Sequence, residues 1–143
     1  MPDHIATLED LLAAWPEEKA PLRQALLELM DHAGSRPGAV LDLVSRPGVS
    51  HSLRFDLDPR PSGRQRPVFF LVDVVLAADE LFLSVCFYED EISDPRELGN
   101  AIPQGLFDET GYCFDLEEPE DEIMAYLLER IDQAHARASG QAG

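Results

Sequence analysis

The chain has 143 residues, the size of one domain, and its 45% hydrophobic content is enough for a single packed core. The net charge is −17, from 28 acidic and 11 basic side chains. This charge repels phosphate groups, so nucleic acids and anionic membranes are not expected partners. Two cysteines are too few for a disulfide scaffold, which excludes the class of small secreted proteins built on such bonds.

The first part of the chain predicts helices. Its start, MPDHIATLEDL, has neither the positive charge nor the apolar run of a signal peptide, so we expect a cytoplasmic protein. Thr7 suits an N-cap, and the spacing of the apolar residues after it predicts a first helix over residues 8–15. Pro21 suits the first turn of a second helix that ends at Gly34. Pro37 begins a predicted third short helix with a stripe of Val40, Leu41 and Val44.

Three strands follow. From Ser50 apolar and polar residues alternate, which predicts a strand at or near a sheet edge. The proline-rich segment 58–67 predicts an exposed and mobile connection. Two apolar runs, 68–76 and 81–88, predict a central antiparallel hairpin with its turn at residues 77–80. The longest apolar run is interrupted by Asp73 and is about half the roughly 20 residues that a membrane helix needs, so we expect no membrane segment.

The last third predicts a loop, a strand and a helix. Asp94 and Pro95 look like the capped start of one helical turn, and the glycines and prolines of residues 99–111 predict a long irregular loop. A fourth strand is predicted over residues 112–116, and Pro119 begins a closing helix that frays from about residue 139. The expected fold is a single α+β domain over residues 1–143, in which helices pack mainly on one face of an antiparallel sheet of about four strands.

Asp73 is the most informative single residue. A carboxylate in the middle of an apolar strand has to be solvated, paired or protonated. The favoured explanation is that its face opens to solvent or that Arg54 on the neighbouring strand pairs with it. The alternative is a pocket carboxylate that acts as a ligand or general base, with Tyr88 or His51 as a neighbour.

Four arginines, Arg54, Arg60, Arg64 and Arg66, lie on and beside the proline-rich connection. Residues 1–77 carry 11 acids and 8 bases, a net charge of −3, whereas residues 78–143 carry 17 acids and 3 bases, a net charge of −14. This opposition favours contact with an acidic protein partner or self-association as a homodimer. Arg54, Asp73, Arg64 and Arg66 are therefore the candidate binding residues.

The acids after the third strand are a candidate metal site, because calcium and magnesium take several oxygen ligands. Their spacing fits no EF-hand, and a solvated acidic face is the favoured explanation. The histidines lie in separate segments and no zinc, nucleotide or hydrolase motif occurs, so no cofactor is expected and an enzyme is the less favoured interpretation. The candidate metal ligands are Glu89, Asp90, Glu91, Asp94, Asp108 and Glu109.

The order of elements resembles that of the small bacterial YdhG-like domains. The resemblance covers roughly residues 20–135 and includes the strand end FLSVCFYEDEISDP, the long loop after it and the closing segment FDLEEPEDEIMAYLLERID. Some members of that family are described as frataxin-like iron chaperones, so the resemblance implies iron handling. The chain departs from the family at Asp108 and Glu109, where the family usually has basic residues, and no functional residue is carried over.

The residues therefore favour a small, acidic, non-enzymatic binding or protein-interaction module. Two alternatives stay open: weak handling of iron or calcium by the acidic loop, and a DNA mimic whose carboxylates imitate phosphates.

Overall fold

The computed structural model describes residues 7–46, 49–77 and 80–140. They form three α-helices and a six-stranded antiparallel sheet, which confirms the α+β class and corrects the predicted count of about four strands. None of the described helices is both long and apolar enough to cross a membrane. The helices are α1 (Leu8–Ala13), α2 (Ala20–Gly34) and α3 (Asp121–Ala138), and the strands are β1 (Ala39–Arg46), β2 (Ser50–Leu57), β3 (Phe70–Ala77), β4 (Glu80–Tyr88), β5 (Asn100–Leu106) and β6 (Glu109–Leu116).

Helices α1 and α2 begin where the sequence predicted, whereas α3 begins at Asp121, two residues after the predicted start at Pro119. The Thr7 side chain accepts the N–H of Asp10 at 3.1 Å, and a proline lies in the first turn of α2. Helix α1 ends at Ala13, two residues earlier than predicted, and the indole of Trp15 then donates to the carbonyl of Lys19 at 2.8 Å. The segment predicted as a helical turn at Asp94 is a turn outside any helix.

The predicted third helix after Pro37 is wrong, because these residues form the edge strand β1. Every residue of β1 pairs with β2 in an unbroken antiparallel register from Ala39 opposite Leu57 to Arg46 opposite Ser50. Apolar residues spaced three and four apart fit a helix, but they also occupy both faces of a strand. The strand forms because its backbone N–H and C=O groups pair with those along the side of β2 that β3 leaves unpaired.

The predicted long loop contains another strand that the sequence analysis missed. Strand β5 pairs with β6 at the other edge of the sheet, and the strand order is β1-β2-β3-β4-β6-β5. Its register shifts between Ile102 and Leu106, where Gln104 has a φ of 58°. Pro103 and Gly105 therefore occupy an irregular edge strand, which is the position in a sheet that tolerates them.

The core lies between the helices and one face of the sheet. Alternate residues of β3, Phe70, Val72 and Val74, are fully buried and pack in one cluster with side chains of all three helices. The prediction that helices pack mainly on one face is thus confirmed. The predicted turn at residues 47–48, the tip of the predicted hairpin at residues 78–79 and most of the predicted frayed tail lie outside the described residues.

Candidate functional site

The face of the sheet that the helices leave uncovered carries a patch of polar side chains. Antiparallel partners share a face, so the register places Ser52, Asp73 and Ser84 side by side across β2, β3 and β4. Arg54, opposite Leu71, lies in the next row. This face can hold polar groups because the three described helices pack on the opposite face and leave it open to water.

A pocket of about 280 Å³ opens on this face. One wall is the end of β5 and the turn after it, and Leu106 anchors this wall by packing in a small buried cluster with Leu71 and Cys86. The floor is formed by β2, β3 and β4. The lining residues are Arg46, Ser50, Ser52, Arg54, Leu71, Asp73, Cys86, Gly105, Leu106 and Phe107.

Arg54 is oriented by two neighbours inside the pocket. Its Nε donates to the Ser52 hydroxyl at 3.2 Å, and its guanidinium carbon lies 5.2 Å from the centre of the Phe107 ring. The ring face attracts the cation, and both neighbours are neutral groups. Arg54 is therefore held in place without being neutralised.

The predicted ion pair between Arg54 and Asp73 is not formed. Within the described ranges, neither Arg54 nor Arg46 lies within 4.0 Å of a carboxylate oxygen. The register explains this, because Asp73 is opposite Ser52 while Arg54 is opposite Leu71, one row away. The two predicted residues do line the same pocket, so two arginines face one carboxylate there.

Phe107 occupies a strained backbone position at the pocket wall. Leu106 pairs with Glu109, so Phe107 and Asp108 form a two-residue hairpin turn, with φ values of 47° and 64°. Such turns usually use asparagine or glycine, because a side chain in the left-handed region costs about 1 kcal/mol or more. The Phe107 ring is nevertheless 40% exposed, so burial in the core does not compensate this strain.

Arg64 and Arg66, which the sequence placed among the binding residues, are instead bound within the protein. Arg64 donates to both oxygens of Glu91, at 2.7 and 3.2 Å, and to the carbonyl of Val68 at 2.7 Å. The Arg64 and Glu91 side chains are only 10% and 8% exposed. These contacts hold the end of the proline-rich connection against the short 3₁₀ turn Glu89–Glu91.

Arg66 joins the same turn to β6. It forms paired hydrogen bonds to Asp90 at 2.7 and 2.9 Å, and it also binds Glu109 at 2.6 Å. The hydrogen bonds to these acids raise the pKa of Arg66, and the bonds from Arg66 lower the pKa of Asp90. Tyr88 lies beneath the guanidinium, 4.6 Å from ring centre to cation, and burial raises its pKa to about 12. Arg64 and Arg66 thus fix the end of the proline-rich connection, which was predicted to be exposed and mobile.

Asp94 is satisfied by neutral donors. Its carboxylate accepts the hydroxyls of Tyr112 and Tyr126, both at 2.5 Å, and the N–H groups of Leu98 at 3.1 Å and Gly99 at 2.9 Å. Burial raises the pKa of Asp94, but these hydrogen bonds outweigh it and lower the pKa to about 2. Asp94 therefore organises the connection between β4 and β5.

Four of the six candidate metal ligands line one surface pocket: Glu89, Asp90, Asp108 and Glu109. Arg66 lies in the same pocket and pairs with Asp90 and Glu109. The other two candidates are bound elsewhere, Glu91 to Arg64 and Asp94 to two tyrosines. In residues 7–46, 49–77 and 80–140, no three His, Cys, Asp or Glu side chains lie close enough together to hold a metal ion.

Sequence reasoning found Arg54 and Asp73 but missed the rest of the pocket. The alternation along β2 already placed Ser50 and Ser52 on the same face as Arg54, and this signal could have been used. Arg46 and Phe107 could not be found in this way, because both lie in segments whose strands were not recognised.

Comparisons of the chain with protein-family models, with curated protein sequences and with solved structures found no significant match to any of them.

Proposed function

We propose that this protein is a non-enzymatic binding module whose pocket accepts a carboxylate from an acidic segment of a protein partner. One observation carries the proposal: Arg46 and Arg54 line the same pocket, and neither is paired with an acid in the part of the chain that the structure describes. The acids nearby, Asp73 in the pocket and Asp42 opposite Arg54 on β1, form no ion pair with either arginine within the described ranges, which is unusual in a chain with a net charge of −17.

The side chains of the pocket suit a carboxylate attached to a peptide. Arginine binds carboxylates through two parallel hydrogen bonds, and the hydroxyls of Ser50 and Ser52 add further donors. Asp73 can accept a backbone N–H of the segment that carries the carboxylate. It also repels a doubly charged phosphate, which favours a singly charged group.

The surroundings of the pocket suit a protein rather than a free acid. Besides Phe107, the apolar side chains Val40 and Ile102 are 44% and 42% exposed, at the two edges of the same sheet face. Arginine together with exposed aromatic and apolar residues is typical of protein interfaces. The pocket itself, at about 280 Å³, is small for a complete drug-sized ligand but accommodates a single side chain.

The arrangement does not favour catalysis. His51, named above as a neighbour for Asp73, is buried and pairs with Val74 on the face that the helices cover. Tyr88 is buried beneath Arg66, and its hydroxyl donates to the carbonyl of Pro67. Asp73 therefore has neither residue as a partner for proton transfer. The metal-handling and DNA-mimic interpretations stay predictions.

The test is a titration of isotope-labelled protein with blocked pentapeptides, followed by two-dimensional NMR. A peptide with one central glutamate should shift amide signals of β2, β3 and the β5–β6 turn, and its glutamine counterpart and inorganic phosphate should bind much more weakly. R54Q should weaken binding of the glutamate peptide about tenfold, the effect of losing one charge-assisted hydrogen bond.

R137Q is the matched control, because Arg137 is an exposed arginine near the end of α3, away from the pocket. It removes the same charge and should leave binding unchanged. Equal binding of the glutamine peptide, or an equal loss in R54Q and R137Q, would contradict the proposal. Light scattering then tests self-association: a dimer that R54Q converts to monomer would replace the external partner by a second copy of the chain.

A further inference from the structure

The only two cysteines of the chain lie directly opposite each other on neighbouring strands. Cys86 of β4 pairs with Cys113 of β6, and the register is unbroken from Leu83 opposite Leu116 to Tyr88 opposite Gly111. Both side chains therefore project from the same face of the sheet, the face that carries the pocket.

This position satisfies the backbone requirement for a disulfide. Directly opposite residues in an antiparallel pair have Cα atoms about 4.5 or 5.5 Å apart, depending on whether they exchange hydrogen bonds. Disulfides join Cα atoms about 4.4 to 6.8 Å apart, so either type of pair lies within range. The bond can form without a change in strand register.

The surroundings give the two sulfurs different roles. Cys86 is 5% exposed and its Sγ lies 3.4 Å from the Ser84 hydroxyl, whereas Cys113 is half-buried. Interaction with the neighbouring Cys113 thiol, followed by burial, raises the pKa of Cys86. The same interaction lowers the pKa of Cys113. Cys113 is thus the more accessible sulfur and the one more easily present as a thiolate, the reactive form.

We propose that Cys86 and Cys113 are a peroxide-oxidised thiol pair that forms a reversible cross-strand disulfide within the folded chain. The Cys113 thiolate attacks one oxygen of hydrogen peroxide, the O–O bond breaks, and the departing hydroxide takes a proton to become water. The sulfur of Cys86 then attacks the sulfenic acid sulfur of Cys113, and the hydroxide that leaves takes the Cys86 proton. One peroxide is reduced to two waters, and two thiols are oxidised to one disulfide.

The test treats the folded protein with hydrogen peroxide and then alkylates the remaining thiols after unfolding. Intact mass should show the loss of two hydrogen atoms and no alkylation, and a digest should contain the Cys86–Cys113 cross-linked peptide, which dithiothreitol separates. The reaction should be about tenfold or more faster in the folded chain than in urea, because the sheet holds the sulfurs together.

Single variants assign the order of attack. C86S should leave a sulfenic acid at Cys113 that dimedone traps, whereas C113S should leave Cys86 mostly unreacted. Folded wild-type monomer that keeps both thiols, or that forms disulfides only between chains, would overturn the proposal, and this outcome does not depend on the folding of either variant. The experiment needs no ligand, so its failure would leave the proposed binding function untouched.

Discussion

Two pairs of arginines on this molecule stand in opposite situations. Arg64 and Arg66 are enclosed by Glu91, Asp90 and Glu109, whereas Arg46 and Arg54 line a pocket without an acid partner among the described residues. In the first pair each charge stabilises the fold through a partner. In the second pair the charges remain available to a ligand. The role of an arginine in this protein therefore depends on whether the fold already supplies its counter-charge.

The largest expected effect is a loss of stability when one of the enclosed arginines is replaced. R64M removes both hydrogen bonds of Arg64 to buried Glu91 and leaves only Arg66 near it, at 3.5 Å, which should destabilise the protein by about 3 kcal/mol. R54M, at the pocket, should change stability by no more than about 0.5 kcal/mol. Urea unfolding followed by the fluorescence of Trp15, the only tryptophan, measures both. Equal stability of the two variants would remove the distinction between the arginine pairs.

Asp94 is an acid that neutral donors satisfy instead of an arginine. Asp94 has its pKa lowered from 3.8 to about 2, so its carboxylate stabilises the fold above about pH 4, and this stabilisation is lost as the pH falls through about 2. At neutral pH, D94N should cost about 2 kcal/mol. The difference between wild type and D94N should shrink in acid.

Unfolding curves of wild type and D94N at a series of pH values between about 2 and 7 measure this difference. D132N is a suitable control, since Asp132 is an exposed carboxylate that contacts His32 of α2 and Arg36 just after the end of α2. A gap between D94N and wild type that stays constant down to about pH 2 would show that the hydrogen bonds do not favour the charged form.

The smallest expected effect concerns the strained wall of the pocket. F107N places a residue that tolerates the left-handed region at a φ of 47°, and it should stabilise the protein by about 0.5 to 1 kcal/mol. It also removes the ring beside Arg54, so the glutamate peptide should bind more weakly. Thermal unfolding and the same NMR titration measure the two effects. A variant that loses stability would show that Phe107 contributes more by packing than it costs in backbone strain.

Much of the fold could be predicted because its central elements have simple periodicity. The alternation of β2 and the apolar runs of β3 and β4 identified the middle of the sheet, and the closing helix was recognised from its apolar spacing. Strand β1 was misread because Val40, Leu41 and Val44 fit two periods equally well. Strand β5 was hidden by Pro103 and Gly105, which break the pattern but are accommodated at a bulged edge.

The candidate site was predicted only in part, because residues that meet in the structure are far apart in the sequence. Arg54 and Asp73 were found because a polar residue in an apolar or alternating strand is a local signal. The acid partners of Arg64 and Arg66 are 27, 24 and 43 residues away, and no local pattern indicates which acids will meet which arginines. Only the folded structure therefore shows which of these arginines are paired with acids.

The proline-rich connection is held by ion pairs at both of its ends, so its tip should tolerate an insertion. Arg60 is bound to Asp56 at one end and Arg64 to Glu91 at the other, so the strands and the ionic contacts are fixed independently of the residues between them. Ser62 and Gly63 are exposed, and a Cβ atom added at Gly63 would meet no atom within 4 Å apart from its chain neighbours. Doubling the length of a flexible loop costs only about 0.6 kcal/mol, so a reporter domain fused there should leave the sheet and its pocket intact.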